Sequence, residues 1–511
     1  MTLSLLLVLP LLGGVLLTLL PEGRSTLVRG LAAAVALAQL AVGLLAWRQP
    51  PADLALSWLP RLGLGLELGL DGLSLPLVLL TALLTAMAVL ASPIDQSRPR
   101  LYYPLLLATN LGVIGAFLAQ NALLFVLAFE LVLIPTTLLV AIWGGERRAG
   151  AAVRFLLYGA VSGLSLLAAV LAFGWFGQGA GEAVALAGAA PSVNFSFEAL
   201  AGSRLTPSAQ AWVLALLLLG FGLKLPVVPL HGWQPFAYCE APAPVVMLLG
   251  GAVSKLGAYG LLRFGVGLLP EAWSAFSPWI AAAGAVTAVY GALNAVAATD
   301  IRRLMAYSSL GHMGLLVLAL AAATPMSLQG AVAQILAHGL IVALLFACVG
   351  LIQRKTGTTV IAELSGLLNP IRGLPFTMGL MLLALMAAAG IPGLAGFPAE
   401  LLVFEGSWTV FPRATLVCLV ASGFTAVYAV RLFNRVGFGR LDNSRADWQN
   451  THWGERLPAL VLTVLVVLAG IWPTGLTAWS EASTAAIALR HSDALVQLAM
   501  APESSTLSLP A

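Results

Sequence analysis

Six ionisable residues lie inside long apolar runs of this chain: Glu130, Lys224, Lys255, His312, His338 and Glu400. A charged side chain at bilayer depth is costly, so it is usually paired or part of a path for ions. Desolvation favours the neutral form of a lysine, and a nearby carboxylate restores the charged form. Moving that carboxylate away would therefore release a proton, and the two imidazoles titrate near neutral pH. These residue types predict a buried path for protons.

Each candidate also has a structural interpretation that stays open at this point. A lone buried histidine is more often a satisfied core residue, and a glutamate can snorkel, although Glu130 lies too deep in its run to reach water. No paired-histidine spacing recurs on neighbouring segments, which argues against haem ligation. Weaker candidates lie near the ends of the runs, where topology-setting charges and access routes are expected: His231, Trp233, Glu240, Asp300, Arg302, Arg303 and Glu405.

The composition indicates a polytopic membrane protein. Of the 511 residues, 60% are hydrophobic and only 9% are charged, whereas a soluble protein carries about a quarter charged residues. The net charge of +4 comes from basic residues dispersed among short loops, so it does not predict nucleic-acid binding. Cys239, Cys348 and Cys418 form no CxxC pair, so no zinc, iron–sulfur or other metal site is expected.

Apolar runs long enough to cross a bilayer, about 20 residues each, recur along the chain. We interpret them as about fourteen transmembrane helices in an all-α fold, at 2–20, 26–46, 73–92, 101–119, 122–143, 151–176, 208–230, 242–267, 274–297, 304–323, 329–352, 374–408, 411–434 and 457–477. The first run has no basic segment before it and is expected to be a retained helix. The pattern predicts one transmembrane domain over 1–480, then a surface helix and disordered tail over 481–511.

The basic residues give an orientation. With these spans, seventeen of the 25 Lys and Arg residues fall in loops on one side, and six fall on the other. Loops rich in Lys and Arg stay on the cytoplasmic side of a membrane. Both termini are therefore expected on the non-cytoplasmic side, periplasmic or lumenal.

Two spans are expected to be broken helices. Pro226 and Pro229 follow Lys224, and a second segment at 389–400 combines Pro392 and Pro398 with several glycines before Glu400. Broken backbone is tolerated at membrane depth only where protein or a water-filled cavity receives its polar groups. Interrupted spans at corresponding positions of two halves point to inverted repeats around a midplane site. We expect the repeats at approximately 101–267 and 274–434.

Several stretches resemble the antiporter-like subunit M, or subunit 4, of complex I, a family related to multisubunit cation/proton antiporters. They are LDGLSLPLVLLTALL (70–84), AFELVLIPTTLLVAIWG (128–144), GLKLPVVPLHGW (222–233), SKLGAYGLLRFG (254–265), ATDIRRLMAYSSLGHMG (298–314), ILAHGLIVALLF (335–346) and GIPGLAGFPAELLVF (390–404). The family's proton-path residues fall on the six residues named first. The family usually reads Trp-Leu-Pro-Asp-Ala after its first break, whereas this chain has Gln234 and Phe236 there.

The resemblance implies a proton-translocating membrane-arm subunit of a complex I-like NAD(P)H or ferredoxin:quinone oxidoreductase. It implies other membrane-arm subunits as partners, and NAD(P)H or ferredoxin, iron–sulfur clusters and quinone in those partners, with no cofactor in this chain. The wording of several stretches is similar to the cyanobacterial branch, including forms coupled to CO2 uptake, so an inner or thylakoid membrane is expected. The alternatives are a subunit of a stand-alone cation/proton antiporter and a passive membrane scaffold.

Overall fold

The computed structural model of the chain describes residues 2–21, 23–177, 194–203, 205–441 and 451–500. Most of the connection at 177–207, including Arg204, and the tail from Pro502 lie outside these ranges, as does Arg445. The first part of the described chain contains α1 (Thr2–Leu19), α2 (Ser25–Arg48), β1 (Leu54–Leu59), β2 (Leu64–Leu68), α3 (Ser74–Ala91), α4 (Pro99–Leu118), α5 (Ala122–Leu131), α6 (Leu133–Trp143), α7 (Arg148–Gly177) and α8 (Phe197–Ala201).

The second part carries the remaining helices. They are α9 (Pro207–Lys224), α10 (Gln234–Glu240), α11 (Ala243–Leu248), α12 (Lys255–Gly260), α13 (Pro270–Ala297), α14 (Ile301–Ala322), α15 (Pro325–Thr356), α16 (Pro375–Ala388), α17 (Gly396–Trp408), α18 (Pro412–Gly437), α19 (Trp453–Ile471), α20 (Thr474–Thr477) and α21 (Glu481–Met500). The last helix packs against α13 and α15 and buries Ile487 and Ala488. The division at residue 480 and the repeat boundaries stay predictions.

The expected number of spans is confirmed within the described ranges. Thirteen helical spans are long and apolar enough to cross a membrane, and α16 with α17 forms one further span that is interrupted. Two of the thirteen are composite: α5 and α6 form one, and α11 and α12 with their flanking turns form another. The α14 and α15 spans are almost entirely buried inside the protein, whereas no more than a third of the α1, α2 and α19 spans is buried. The inner helices are those that carry the ionisable residues at 312 and 338.

A short hairpin, which the sequence analysis did not predict, interrupts the helices. β1 and β2 pair antiparallel around a 3₁₀ turn at Pro60–Leu62. The following loop is anchored at Asp71, whose carboxylate pairs with Arg263 and accepts backbone N–H groups of Leu73 and Ser74. Burial opposes ionisation of this carboxyl, but Arg263 and the backbone donors outweigh it and lower the pKa of Asp71. The hairpin is therefore fixed to the helix that follows Lys255.

Helices α13 and α14 touch backbone to backbone. A methyl group added at Gly291 would overlap the backbone of Gly311, and one added at Gly314 would overlap Gly284 and Ala288. Small residues at such an interface allow two membrane helices to approach closely and gain van der Waals contact. The pair forms a rigid support for the residues that α14 directs inward.

Candidate functional site

The first predicted break is present and follows Lys224 directly, since α9 ends there and regular helix resumes only at Gln234. Pro226 cannot donate a hydrogen bond, so the end of α9 needs other donors. The indole N–H of Trp233 donates to the Leu223 carbonyl at 2.7 Å, and the Val227 N–H donates to Gly222 at 3.0 Å. The break is thus satisfied within the protein, and Lys224 is held at the carboxyl end of α9, where a cation is favoured.

The Lys224 ammonium is buried among aromatic rings. Its Nζ atom lies 4.7 Å from the centre of the Phe129 ring and 5.7 Å from that of Phe155. Among the described residues no carboxylate lies within 4.0 Å of it, and Glu130 is the negative charge that acts on it from farther away. The ring faces stabilise the cation, and the carboxylate acts on it without a direct ion pair.

Glu130 lies beside a helix interruption that the sequence analysis did not predict. α5 ends at Leu131 and α6 begins at Leu133. The side chain is half-buried and lies near the middle of the span Ala122–Trp143; whether water reaches it in the membrane stays a prediction. Its carboxylate packs against Gly163 of α7 so closely that a methyl group there would overlap it. The glycine on α7 therefore provides the space for the carboxylate.

Lys255 is fully buried and lies between two wide helical turns. The segments Leu249–Val253 and Leu261–Val266 are π-helical and flank α12, a geometry frequent at functional sites. The Lys255 Nζ lies 2.8 Å from Nδ1 of His338 and 3.5 Å from the sulfur of Met313. Gly251 and Gly339 allow this approach, because a methyl group at Gly339 would lie only 2.8 Å from the Gly251 carbonyl oxygen.

His312 connects His338 to Glu400. The two imidazole rings lie 5.4 Å apart between centres, and Nε2 of His312 lies 3.4 Å from Oε1 of Glu400. Nδ1 of His312 lies 2.8 Å from the Ser308 carbonyl oxygen, and Nε2 lies 2.9 Å from that of Ala388. Both ring nitrogens thus face oxygen acceptors, which a doubly protonated imidazolium satisfies. This ring is arranged to hold a proton.

The second predicted break is also present. Helix α16 ends at Ala388 and α17 begins at Gly396, with left-handed backbone at Gly390 (φ 67°) and Gly393 (φ 90°). Glu400 lies near the start of α17, where the helix dipole favours an anion, and it accepts a hydrogen bond of 2.8 Å from Ser422. His312 of α14 lies beside the carboxyl end of α16, where it contacts the Ala388 carbonyl oxygen, and it also lies beside Glu400 of α17. A titratable group therefore bridges this break.

The structure brings four of the six candidates together: Lys255, His338, His312 and Glu400, hereafter the row. A cavity of about 10 Å³ lies along it and is bordered by Ser309, Gln334 and the last three residues of the row. That volume is at the threshold for one water molecule. The row consists of two close donor–acceptor pairs, Lys255 with His338 and His312 with Glu400, whose imidazole rings lie 5.4 Å apart between centres.

Glu130 and Lys224 form a separate pair. Between that pair and the row, α12 packs through Gly257 onto the backbone of Phe221 and Leu225, and the neighbouring side chains are aromatic. Lys224 also precedes its break whereas Glu400 follows its own, so the two residues occupy opposite flanks. The predicted lateral step from Lys224 to Lys255 stays a prediction.

Several polar residues around the row were missed or interpreted differently in the sequence. Arg302, expected as a topology-setting charge, is buried and donates to the carbonyl oxygens of Tyr238 and Ala241. Nothing in a single sequence marks Ser422 or Gln334 as functional, because their positions beside the row depend on helix packing. Of the weaker candidates, Trp233 is buried at the first break and Glu405 is exposed. Within the described ranges no three His, Cys, Asp or Glu side chains are grouped to hold a metal ion.

The spans, the two broken helices and the buried row define an all-α membrane protein of antiporter-like architecture. Residues 119–425 match the family described as NADH:quinone oxidoreductase/Mrp antiporter, transmembrane. The chain belongs to this family, which confirms the resemblance found in the sequence.

Named relatives and solved structures agree with this assignment. NAD(P)H-quinone oxidoreductase chain 4 2 of Thermosynechococcus vestitus is 36% identical over 96% of this chain and 92% of its own. A chain of respiratory complex I from Thermus thermophilus is 29% identical, with a TM-score of 0.84 over 96% of this chain and 99% of that one. A chain of the Mrp complex from Dietzia sp. shares the fold, with 22% identity and a TM-score of 0.80 over 98% of this chain and 99% of that one.

Proposed function

We propose that this chain is a proton-translocating membrane-arm subunit of a complex I-like NAD(P)H or ferredoxin:quinone oxidoreductase. The observation that carries the proposal is the row, in which Lys255 and His338 lie 2.8 Å apart and His312 and Glu400 lie 3.4 Å apart. Its side chains are buried, so a proton placed on one of them is exchanged with its neighbours and not with bulk solvent.

Protonated and deprotonated states would alternate in the row and in the Glu130–Lys224 pair. A proton on Lys255 passes to Nδ1 of His338, and a proton on His312 passes to Glu400, which then delivers it beyond the second break. Glu130 would set the charge of Lys224 in the same manner, because the carboxylate is near enough to act on the ammonium without holding it in a fixed ion pair. The lateral connection between pair and row is part of the proposal and would require water between α9 and α12.

We infer the complex in which this chain works from its named relatives. Chain 4 of a cyanobacterial NAD(P)H-quinone oxidoreductase implies that this chain works with other membrane-arm subunits, and that the electron carriers are held by its partners. We place it in a bacterial inner membrane or a thylakoid membrane, with both termini on the non-cytoplasmic side. A role in CO2 uptake is a further expectation from the cyanobacterial likeness.

A multisubunit cation/proton antiporter is the second candidate, since the Mrp chain has the same fold over nearly the whole length. The two functions are separated by affinity purification of the chain from its native membrane and identification of the copurified subunits. Peripheral dehydrogenase subunits support the proposal, and small antiporter subunits without them support the alternative.

Translocation itself is tested with Glu400→Gln in the purified complex reconstituted into vesicles. The amide keeps the volume and can still pair with Ser422, but it cannot accept a proton from His312. We expect assembly to be retained and dye-detected proton uptake per electron to fall strongly. Wild-type coupling in this variant would overturn the role of the row.

A further inference from the structure

A pocket lies at the end of α18, between that helix, the loop that joins α13 to α14, and a 3₁₀ turn at Ile361–Glu363. The Ile361 N–H donates to the Thr299 carbonyl oxygen at 2.9 Å, which fixes the turn to the loop. The cavity has a volume of about 290 Å³, at the lower end of the range for ligand pockets, about 300 Å³. The walls are therefore preformed, and the space between them accepts a small polar group.

The pocket is cationic. Arg431 and Arg435, one turn apart on α18, both line it, and none of the lining residues that the structure describes is acidic. Arg431 donates to the Val296 carbonyl oxygen at 3.3 Å, and Arg435 makes no hydrogen bond or ion pair with a described residue. Asp300 of the adjoining loop already accepts the Arg303 N–H at 3.0 Å as the cap of α14. Two guanidinium groups thus share one cavity without a balancing carboxylate on its walls.

The outer face of α18 is apolar as far as the two arginines. An exposed stripe recurs every three or four residues along this transmembrane helix, at Val417, Val420, Phe424 and Val427. Residues with this spacing lie on one face of a helix, and Arg431 continues the stripe after four more residues. A cationic pocket at the end of an apolar stripe matches a phospholipid in shape and charge.

We propose that this pocket, hereafter the arginine pocket, binds the headgroup of an anionic phospholipid whose acyl chains lie along the outer face of α18. Guanidinium groups pair with phosphate oxygens through two parallel hydrogen bonds, and basic pockets between transmembrane helices bind anionic headgroups. The inference goes beyond proton transfer and does not depend on it, because neither arginine belongs to the row or to the Glu130–Lys224 pair.

The bound lipid would hold α18 against the start of α14. The two helices already meet at Tyr428, which lies at the inner side of the arginine pocket and donates from its hydroxyl to that of Ser308 at 2.7 Å. A headgroup between the loop before α14 and the end of α18 adds contacts to both. The anionic lipid should therefore raise the melting temperature of the complex as well as remain bound to it.

The double variant Arg431→Gln/Arg435→Gln tests this inference in the purified complex. Phosphatidylglycerol is titrated into phosphatidylcholine nanodiscs that hold the complex, and the retained lipid is counted by native mass spectrometry. Each cation near an anionic headgroup contributes about fivefold, so the affinity for phosphatidylglycerol should fall about 25-fold. Arg24→Gln/Arg98→Gln is the matched control, because it removes the same charge from two exposed arginines that line no part of this pocket. The control should bind the lipid as the wild type does.

A second variant keeps both arginines and fills the space. Ala362→Trp places a large ring at an exposed lining position, and it should also lose the lipid. Wild-type retention of phosphatidylglycerol in either variant would overturn the inference. So would equal stabilisation by inorganic phosphate alone, which indicates a site for a free anion, or loss of a copurified subunit from the double variant, which indicates a protein contact. Glu400→Gln should keep the lipid, so the proposed function and this inference can fail separately.

Discussion

Replacing Lys255 with methionine separates the role of this residue in pumping from its role in folding. Methionine has nearly the length of lysine without its amine, and the Met313 sulfur already lies 3.5 Å from the replaced atom. The change leaves Nδ1 of His338 without its partner, which costs about 1–3 kcal/mol. It also removes a buried amine, and replacing buried ionic groups by apolar ones stabilises by up to about 4 kcal/mol. The two effects oppose each other, so the net stability change should stay within about 3 kcal/mol in either direction.

Pumping should respond very differently. The row loses its first proton donor, and a positioned proton-transfer group contributes about 100-fold or more. The assay is dye-detected proton uptake by the reconstituted complex, with electron transfer to quinone and the melting temperature measured on the same preparation. Lys355→Met is the control, since Lys355 forms a peripheral ion pair of 3.0 Å with Glu455. A Lys255→Met complex that melts as the wild type and pumps at the wild-type rate would refute the reasoning.

Three further changes test the pair at Glu130 and Lys224. Lys224→Ala should leave the subunit composition intact and abolish or strongly reduce proton uptake, because it deletes the group whose charge alternates; full uptake would exclude that role. Glu130→Gln should impair coupling more than Glu130→Asp, which keeps the charge at a shorter reach, and wild-type coupling in both would make Glu130 structural. Gly163→Ala should displace the Glu130 carboxylate and slow uptake, whereas Gly150→Ala on the same helix, where the added methyl meets no atom within 4 Å, should not; equal rates in the two alanine variants would argue against the contact.

The sequence predicted the features that depend on local chemistry. Prolines after Lys224 and the glycines at 390 and 393 marked both breaks, because these residues remove donors or adopt left-handed backbone. It also singled out His312 and Glu400 as ionisable groups in apolar runs. Their approach to 3.4 Å depends on how α14 and α17 pack, and no pattern along the chain contains that information.

Other features were missed although some left a signal. Leucine recurs at alternate positions at Leu54 and Leu56 and again at Leu64, Leu66 and Leu68, which is the period of a strand. Leucine is so frequent throughout this apolar chain that the alternation was not recognised as a strand pattern. The π-helical turns around Lys255 show only scattered glycines, which α-helices in membranes also contain. The helix interruption at Val132 involves a single residue, and hydropathy averaged over about 20 residues cannot detect it.

The backbone contact between α13 and α14 bears on which residues of the row are held rigidly and which could change position. His312 and Ser309 lie on α14. At the glycines at 284, 291, 311 and 314 the backbones of α13 and α14 are in direct contact, so α14 is held firmly against α13. Glu400 is carried by α17, which follows seven residues without regular helix (389–395) that include two left-handed glycines. If the 3.4 Å distance between His312 and Glu400 changes during transport, we expect Glu400 and not His312 to move.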